Sequence, residues 1–210
     1  MAKLILVRHA KSEWNATGQW TGHADPSLSK DGKDEAHRTA LQLAHLNIHK
    51  AYTSPLKRCK ETLDILIERL GLSHIPYISH DALKERDYGD FTGKNKWEVK
   101  EEVGDERFQR IRRGWDEPIP GGETLKDVHD RVVPYYESHI HPDLLAGLNV
   151  CVVAHGNSLR ALVKYLENIR EEEIAELEIG VGEAHIYEID GQGRITGKEI
   201  RAENTQRGKI

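Results

Sequence analysis

Two unbroken apolar runs, each stopping on a histidine, constrain this chain more than any other feature. Lys3 to Val7 (KLILV) and Asn149 to Ala154 (NVCVVA) are short, rich in β-branched residues and without polar alternation. Such runs read as strands buried on both faces, as in a parallel sheet covered by helices. The first ends at Arg8 and His9, the second at His155 and Gly156. Helical patterns lie between and after them. Ser29 can cap a helix running to Leu46, with Ala36, Ala40, Leu43 and Ala44 at helical spacing. Ala51 to Ser54 reads as a short strand, Pro55 suits a first helical turn, and Leu56 to Leu70 reads as a helix stopped by Gly71. Thr124 to His139 and Ser158 to Leu166 are further helices, and Ala184 to Ile189 (AHIYEI) alternates as a late strand, with an edge position left open. Strand and helix in alternation imply an α/β layered fold around a largely parallel sheet.

The segment from about 81 to 122 is richer in charge, Gly and Trp than its flanks and has one helix-like piece, Lys96 to Val103. It reads as an insertion carrying site loops within one domain spanning 1–210, and the tail from about 191 reads as polar and weakly patterned. A chain of 210 residues that is 38% hydrophobic can bury its own core, and 31% charge does not make it a disordered one. The net charge of -5 argues against general nucleic-acid binding, so any anion site must be local. The apolar run after Met1 is too short for an export signal or a membrane span, and two cysteines, Cys59 and Cys151, suit reduced buried thiols. A cytoplasmic protein without membrane contact, monomer or homodimer, is expected. His45 and His49 have helical spacing, but no carboxylate completes a metal site there, so no metal is expected.

In open α/β sheets the binding crevice forms beyond the carboxyl ends of the strands. Two strands ending in histidine therefore bring His9 and His155 to one crevice. A single strand-end histidine is more often a polar tip than a catalyst; a pair, one preceded by arginine, is harder to dismiss.

The blocks LVRHAKSEWN, WTGHADPSLSKDG, TSPLKRCKET, LKERDYGDFTGKNK, RIRRGWDEPIPGGE and AHGNSLRALVKYLE occur in that order. Together they resemble the histidine phosphatase superfamily, and within it most closely the 2,3-bisphosphoglycerate-dependent phosphoglycerate mutases, over about residues 4 to 190. The resemblance implies a three-layer α/β/α sandwich, no metal, and 2,3-bisphosphoglycerate as phosphoryl primer for a small phosphorylated substrate. It implies His9 as the nucleophile, held neutral so that a ring nitrogen can attack phosphorus. Arg8, Arg58 and His155 would neutralise the transferring phosphoryl oxygens, with Ser12, Asn15, Gly156 and Asn157 as further contacts. Glu85 would be the general acid and base. Thr21, Gly22, Tyr88, Lys96, Arg112 and Arg113 would grip the far end of the substrate. Taken alone, Arg58 would read as a surface helix charge, and Arg110, Arg112 and Arg113 as a solvated run.

Some positions depart from the family pattern. Ala10 and Lys11 replace the usual Gly and Glu after the nucleophile, Asp87 adds charge near Glu85, and Glu183 stands where the pattern has none. A carboxylate at Glu183 would weaken phosphate binding unless it points away. The leading expectation is a mutase that interconverts 3-phosphoglycerate and 2-phosphoglycerate through phospho-His9. A phosphatase, in which water attacks phospho-His9, is the alternative. A non-catalytic phosphoprotein-binding module ranks below both, because Arg8, His9, Arg58, Glu85 and His155 are all present.

Overall fold

The computed structural model describes residues 1–202. In chain order the elements are β1 (Ala2–Arg8), α1 (Glu13–Ala16), α2 (Lys30–Leu43), β2 (Lys50–Thr53), α3 (Lys57–Leu70) and β3 (Tyr77–Ser79). They continue with α4 (Lys96–Val103), α5 (Asp105–Arg113), α6 (Leu125–Tyr135), α7 (His141–Leu145), β4 (Val150–Ala154), α8 (Gly156–Leu166), β5 (Ala184–Ile189) and β6 (Ile195–Arg201). The sheet order is β3-β2-β4-β1-β5-β6, parallel from β3 to β1 and antiparallel from β1 to β6.

The two apolar runs are the central neighbours β1 and β4. Their side chains alternate between two cores, as the period of a strand requires. Leu4, Leu6, Val150 and Val152 pack with α6 and α8, while Ile5, Val7, Cys151 and Val153 pack with α2 and α3. Burial of each such side chain contributes about 1.5–3 kcal/mol. This is the expected three-layer α/β/α sandwich with a largely parallel sheet. Local signals set the helix ends: the Ser29 hydroxyl accepts from the Gly32 amide, and Gly71 stops α3 in the left-handed region at φ 65°. Gly32 also packs its bare Cα on the chain beside the nucleophile, since a Cβ there would lie 1.9 Å from the Lys11 carbonyl oxygen.

Several expectations need correction. Pro55 precedes the helix rather than entering its first turn, because Leu56 is the extended cap residue. The helix from Thr124 runs beyond His139, with a π-helical turn at Tyr136–Ile140 leading into α7. Pro134 lies two residues before that turn and cannot supply an amide, which is where a helix ladder changes register. Of the tail after Gly191, residues 195–201 form β6, so β5 is an inner strand, and the part from 203 on lies outside the described residues. β6 is an edge whose side chains are mostly exposed, so it carries no apolar alternation and is held by backbone pairing. Within 81–122 the charged stretch Asp105–Arg113 is also a helix, burying only Phe108 and Ile111.

That segment has its own apolar cluster of Trp20, Tyr88, Phe91, Val99, Phe108, Ile111 and Ile119, which sets α4 and α5 over the carboxyl ends of the strands. Among the described residues no helix is long and apolar enough to cross a membrane, and Cys59 and Cys151 are both buried free thiols.

Candidate active site

β1 and β4 are adjacent and parallel with Arg8 opposite Ala154, so the next residue of each strand leaves the sheet beside the other. The rings of His9 and His155 lie 4.9 Å apart, inclined at 66°. Nδ1 of His9 is 2.7 Å from the Ala10 carbonyl oxygen. A carbonyl only accepts, so Nδ1 carries the proton and Nε2 keeps its lone pair. Burial, then the charges of Arg58 and Arg8, hold the His9 pKa well below the usual histidine value. His9 is therefore neutral at physiological pH with Nε2 free to attack.

Arg8 lines the same cavity and donates through Nη1 to the Ile179 carbonyl at 2.6 Å. Arg58, from the first turn of α3, is 1% exposed rather than on the surface. Its Nη1 and Nη2 donate to the carbonyls of Ala24 and Gly22, both at 2.9 Å. Gly22 adopts φ 50°, and a Cβ there would lie 3.1 Å from both the Tyr88 amide nitrogen and the Thr92 hydroxyl, so the loop presents its carbonyl to Arg58 only as glycine. Arg8 Nε, Arg58 Nε and Thr21 Oγ1 are buried and have no hydrogen-bond partner among the described residues. Three such atoms around one cavity suit an anion, because an unmet buried donor is costly. The N-terminus of α8 adds its positive end at Gly156, which packs beside the Arg8 guanidinium.

His155 is fully buried beneath this cavity rather than on its open wall. Its Nε2 lies 2.8 Å from the Ser54 hydroxyl and 3.3 Å from Cys59 Sγ. Burial, followed by the charges of Arg58, His9 and Arg8, lowers its pKa too. Ser12 and Gly22 also stand behind the wall. Ser12 caps α1 and donates to the Asn15 Oδ1 at 2.9 Å, which fixes Asn15 on the wall.

The cavity has a volume of about 460 Å³. Its wall holds His9, Arg8, Asn15, Thr21, Arg58, Gly156 and Asn157, together with Glu85, Tyr88 and a further set of cations, Lys96, Arg112 and Arg113. Glu85 Oε1 accepts from the amides of Arg86 at 2.8 Å and Asn157 at 3.1 Å, tying the carboxyl to the start of α8. Asn157 in turn donates to the Tyr88 hydroxyl at 2.9 Å. Burial, then Arg112, Arg8 and Arg113, outweigh Glu85 and push the Lys96 pKa down to about 8.

Sequence reasoning missed part of the wall. Arg160 donates through Nη1 to Asn157 Oδ1 at 2.9 Å and through Nη2 to the Arg113 carbonyl at 2.8 Å, so it ties the start of α8 to the end of α5. Its signal was present, since a lone arginine inside the apolar run of α8 must be buried and paired. Glu178, which forms an ion pair with Arg113, carries no local signal. Lys11, Glu35 and Arg38 line the side facing α2.

The departures prove local in effect. Glu183 points away from the cavity: its Oε1 lies 2.6 Å from His185 Nε2 and its Oε2 accepts from the Gly180 amide at 3.1 Å. Both carboxylate oxygens are thus held by these partners. Ala10 fills an apolar contact with Leu28 and Ala36, and Asp87 accepts from the Gly89 amide while facing His23.

Comparison with known proteins identifies the family. A "2,3-bisphosphoglycerate-dependent phosphoglycerate mutase" of Parvibaculum lavamentivorans is 44% identical over 202 residues, covering 95% of this chain and 96% of that protein. One of the same name from Bartonella quintana is 42% identical, covering 94% and 97%. Among solved structures, Bacillus stearothermophilus YhfR matches with a TM-score of 0.80 at 25% identity, covering 97% and 96% of the two chains. A mycobacterial glucosyl-3-phosphoglycerate phosphatase shares the fold with a TM-score of 0.79 at 23% identity, covering 96% and 98%. The family profile of the histidine phosphatase superfamily (branch 1) matches residues 4–199, and the chain belongs to that superfamily.

Proposed function

We propose that this chain is a 2,3-bisphosphoglycerate-dependent phosphoglycerate mutase, acting in glycolysis and gluconeogenesis in the cytoplasm. The observation that carries the reading is a single cavity whose wall holds His9 with Arg8 and Arg58 and also a second set of cations, Lys96, Arg112 and Arg113. A hydrolase needs only the first; a substrate with two anionic ends uses both. Curated relatives of that name at 42–44% identity over nearly the whole chain support it.

His9 would take a phosphoryl group on Nε2 while Arg8, Arg58 and the α8 N-terminus hold the equatorial oxygens. Those groups supply the positive charge, so the reading calls for no metal. The cofactor 2,3-bisphosphoglycerate supplies the initial phosphoryl group, and the unpartnered Nε atoms of Arg8 and Arg58 fit such a polyanion. Glu85 would protonate the departing oxygen and later deprotonate the hydroxyl that receives the group. The distal cluster would hold the other end, so the bound intermediate can turn without escaping.

Hydrolysis to free phosphate is the second reading, and one observation favours it: Glu178 already partly neutralises Arg113. The clamp decides between the two. Under the mutase reading, Arg112→Ala or Arg113→Ala should weaken 3-phosphoglycerate turnover by about 1.5–3 kcal/mol, tenfold or more, as for a lost charge-assisted hydrogen bond. Slow hydrolysis of p-nitrophenyl phosphate, which has no second anion, should hardly change. Equal rates on 3-phosphoglycerate in both variants would leave the phosphatase reading ahead.

Lys96 gives a pH test. With its pKa near 8 in the free protein, Lys96 is charged below that pH and loses its charge above it. An anion bound beside it raises that pKa, so affinity for 3-phosphoglycerate, whose phosphate is a dianion above about pH 7, should be level from there to about pH 8 and fall as pH rises further. Lys96→Met should bind more weakly at pH 7 and lose this alkaline fall, measured as the dissociation constant against pH. A fall of the same steepness in Lys96→Met would assign it to another group.

A further inference from the structure

Arg131, on α6, uses every N–H of its guanidinium. Nε and Nη2 donate to the two carboxylate oxygens of Glu123, each at 2.8 Å. Nη1 donates to the carbonyls of Ala82 at 2.7 Å and Lys84 at 3.0 Å, and Nη2 to the carbonyl of Glu85 at 3.0 Å. Glu123 Oε2 also accepts from the Asp87 amide at 2.9 Å. On the other side His23 Nε2 donates to the same Glu85 carbonyl at 2.9 Å.

The chain from Ala82 to Asp87 is thus gripped at its main chain by one bidentate ion pair. That segment crosses from a short 3-10 turn to the Tyr88 wall, and its own backbone bonds leave those carbonyls to Arg131. Arg131 and Glu123 do not line the His9 cavity; they face a shallower one behind the loop. They stand outside the cavity that would hold the substrate, yet they hold the backbone of the residue that carries the reactive carboxyl. A planar fork with five donors can meet such a set of acceptors; the three donors of a lysine cannot.

We propose that Arg131, braced by Glu123, is the positioning residue that sets the Glu85 carboxyl at proton-transfer distance, a role that rests on Glu85 being the general acid and base. When His9 Nε2 bonds to phosphorus, the bond from phosphorus to the leaving oxygen breaks, and that oxygen takes the proton of Glu85. Positioned proton transfer contributes about 10²–10⁴-fold, and small misplacement forfeits much of it. A leaving group that is stable as an anion does not need the proton. The loss on disturbing Arg131 must therefore depend on the leaving group.

The test is single-turnover formation of phospho-His9 from phenyl phosphate and from p-nitrophenyl phosphate. It would be run with the unmodified chain, Glu85→Gln, Arg131→Lys and the double variant. Arg131→Lys should slow transfer from phenyl phosphate about 10- to 100-fold more than from p-nitrophenyl phosphate, following Glu85→Gln. The double variant should be no slower than Glu85→Gln alone, because a positioning residue has nothing left to position. Equal slowing of both substrates by Arg131→Lys, or multiplied losses in the double variant, would overturn the proposal while leaving Glu85 its role. Absence of leaving-group selectivity in Glu85→Gln itself would instead overturn the acid and base assignment. Should Arg131→Lys fail to fold, Glu123→Gln keeps the side chain's size, must show the same selectivity, and overturns the proposal if it does not.

Discussion

His9→Ala should abolish turnover, by about 10⁴-fold or more as on removing other covalent nucleophiles, and should leave the chain unable to acquire an acid-labile phosphate. The expectation rests on geometry at both histidines. His9 has its Nδ1 proton committed to the Ala10 carbonyl and its Nε2 lone pair uncommitted, and it lines the cavity. His155 has its Nε2 against Ser54 and Cys59 and lies fully buried below. Mass spectrometry of the unmodified chain after incubation with 2,3-bisphosphoglycerate should place the phosphate on His9. Finding it on His155, or on neither, would end the phosphohistidine mechanism as drawn. An unchanged melting temperature for His9→Ala would separate lost chemistry from lost folding.

Arg58→Ala should cost about 10²–10³-fold in kcat, the scale for removing one preorganised donor to a developing anion. It should also change the pH profile. After burial, Arg58 is the largest influence keeping His9 neutral, so its removal raises the His9 pKa toward the usual value of about 6.5. In the unmodified chain the nucleophile stays neutral well into acid, and activity should not fall on its account near pH 6. In Arg58→Ala protonation of His9 would remove activity as pH drops through the higher pKa, so the acid limb moves up. Stability should fall as well, since the Gly22 and Ala24 carbonyls lose their donors. Arg58→Lys keeps a charge but not the paired hydrogen bonds and should recover part of the pH behaviour with little of the rate. A rate for Arg58→Ala within about threefold of the unmodified chain would remove Arg58 from the phosphate pocket, against the roughly 10²-fold loss that role requires.

Much of this site could be read from residues that are near neighbours in the chain. KLILV and NVCVVA declare buried strands because an apolar run without alternation fits no half-exposed element, and a parallel sheet places the next residues of adjacent strands together. His9 and His155 follow from that, as do the helix started by Ser29 and the one stopped by Gly71. Apart from Arg160, marked by its apolar neighbours in α8, what escaped notice has only a weak local mark. β6 is held by backbone pairing along an exposed edge, and α5 offers a single i, i+3 apolar pair, Phe108 and Ile111, in a run of charge that reads as solvated.

Periodicity and punctuation in the chain sufficed for the central strands, the main helices and the strand-end histidines, because each depends on spacing over a few residues, whereas the cationic residues of the site were marked only by the resemblance of their sequence blocks to a family. Tertiary packing alone decided how those residues work. It buried Arg58 against the Gly22 loop, turned Glu183 away toward His185, paired Arg113 with Glu178, and set Arg131 behind the carbonyl of Glu85. It also determined which nitrogen of His9 is free and why that ring is neutral. Each of these is a contact between separate elements in a low-dielectric interior, where the strength and direction of an interaction are set by what stands a few ångströms away and not by what stands next in the chain.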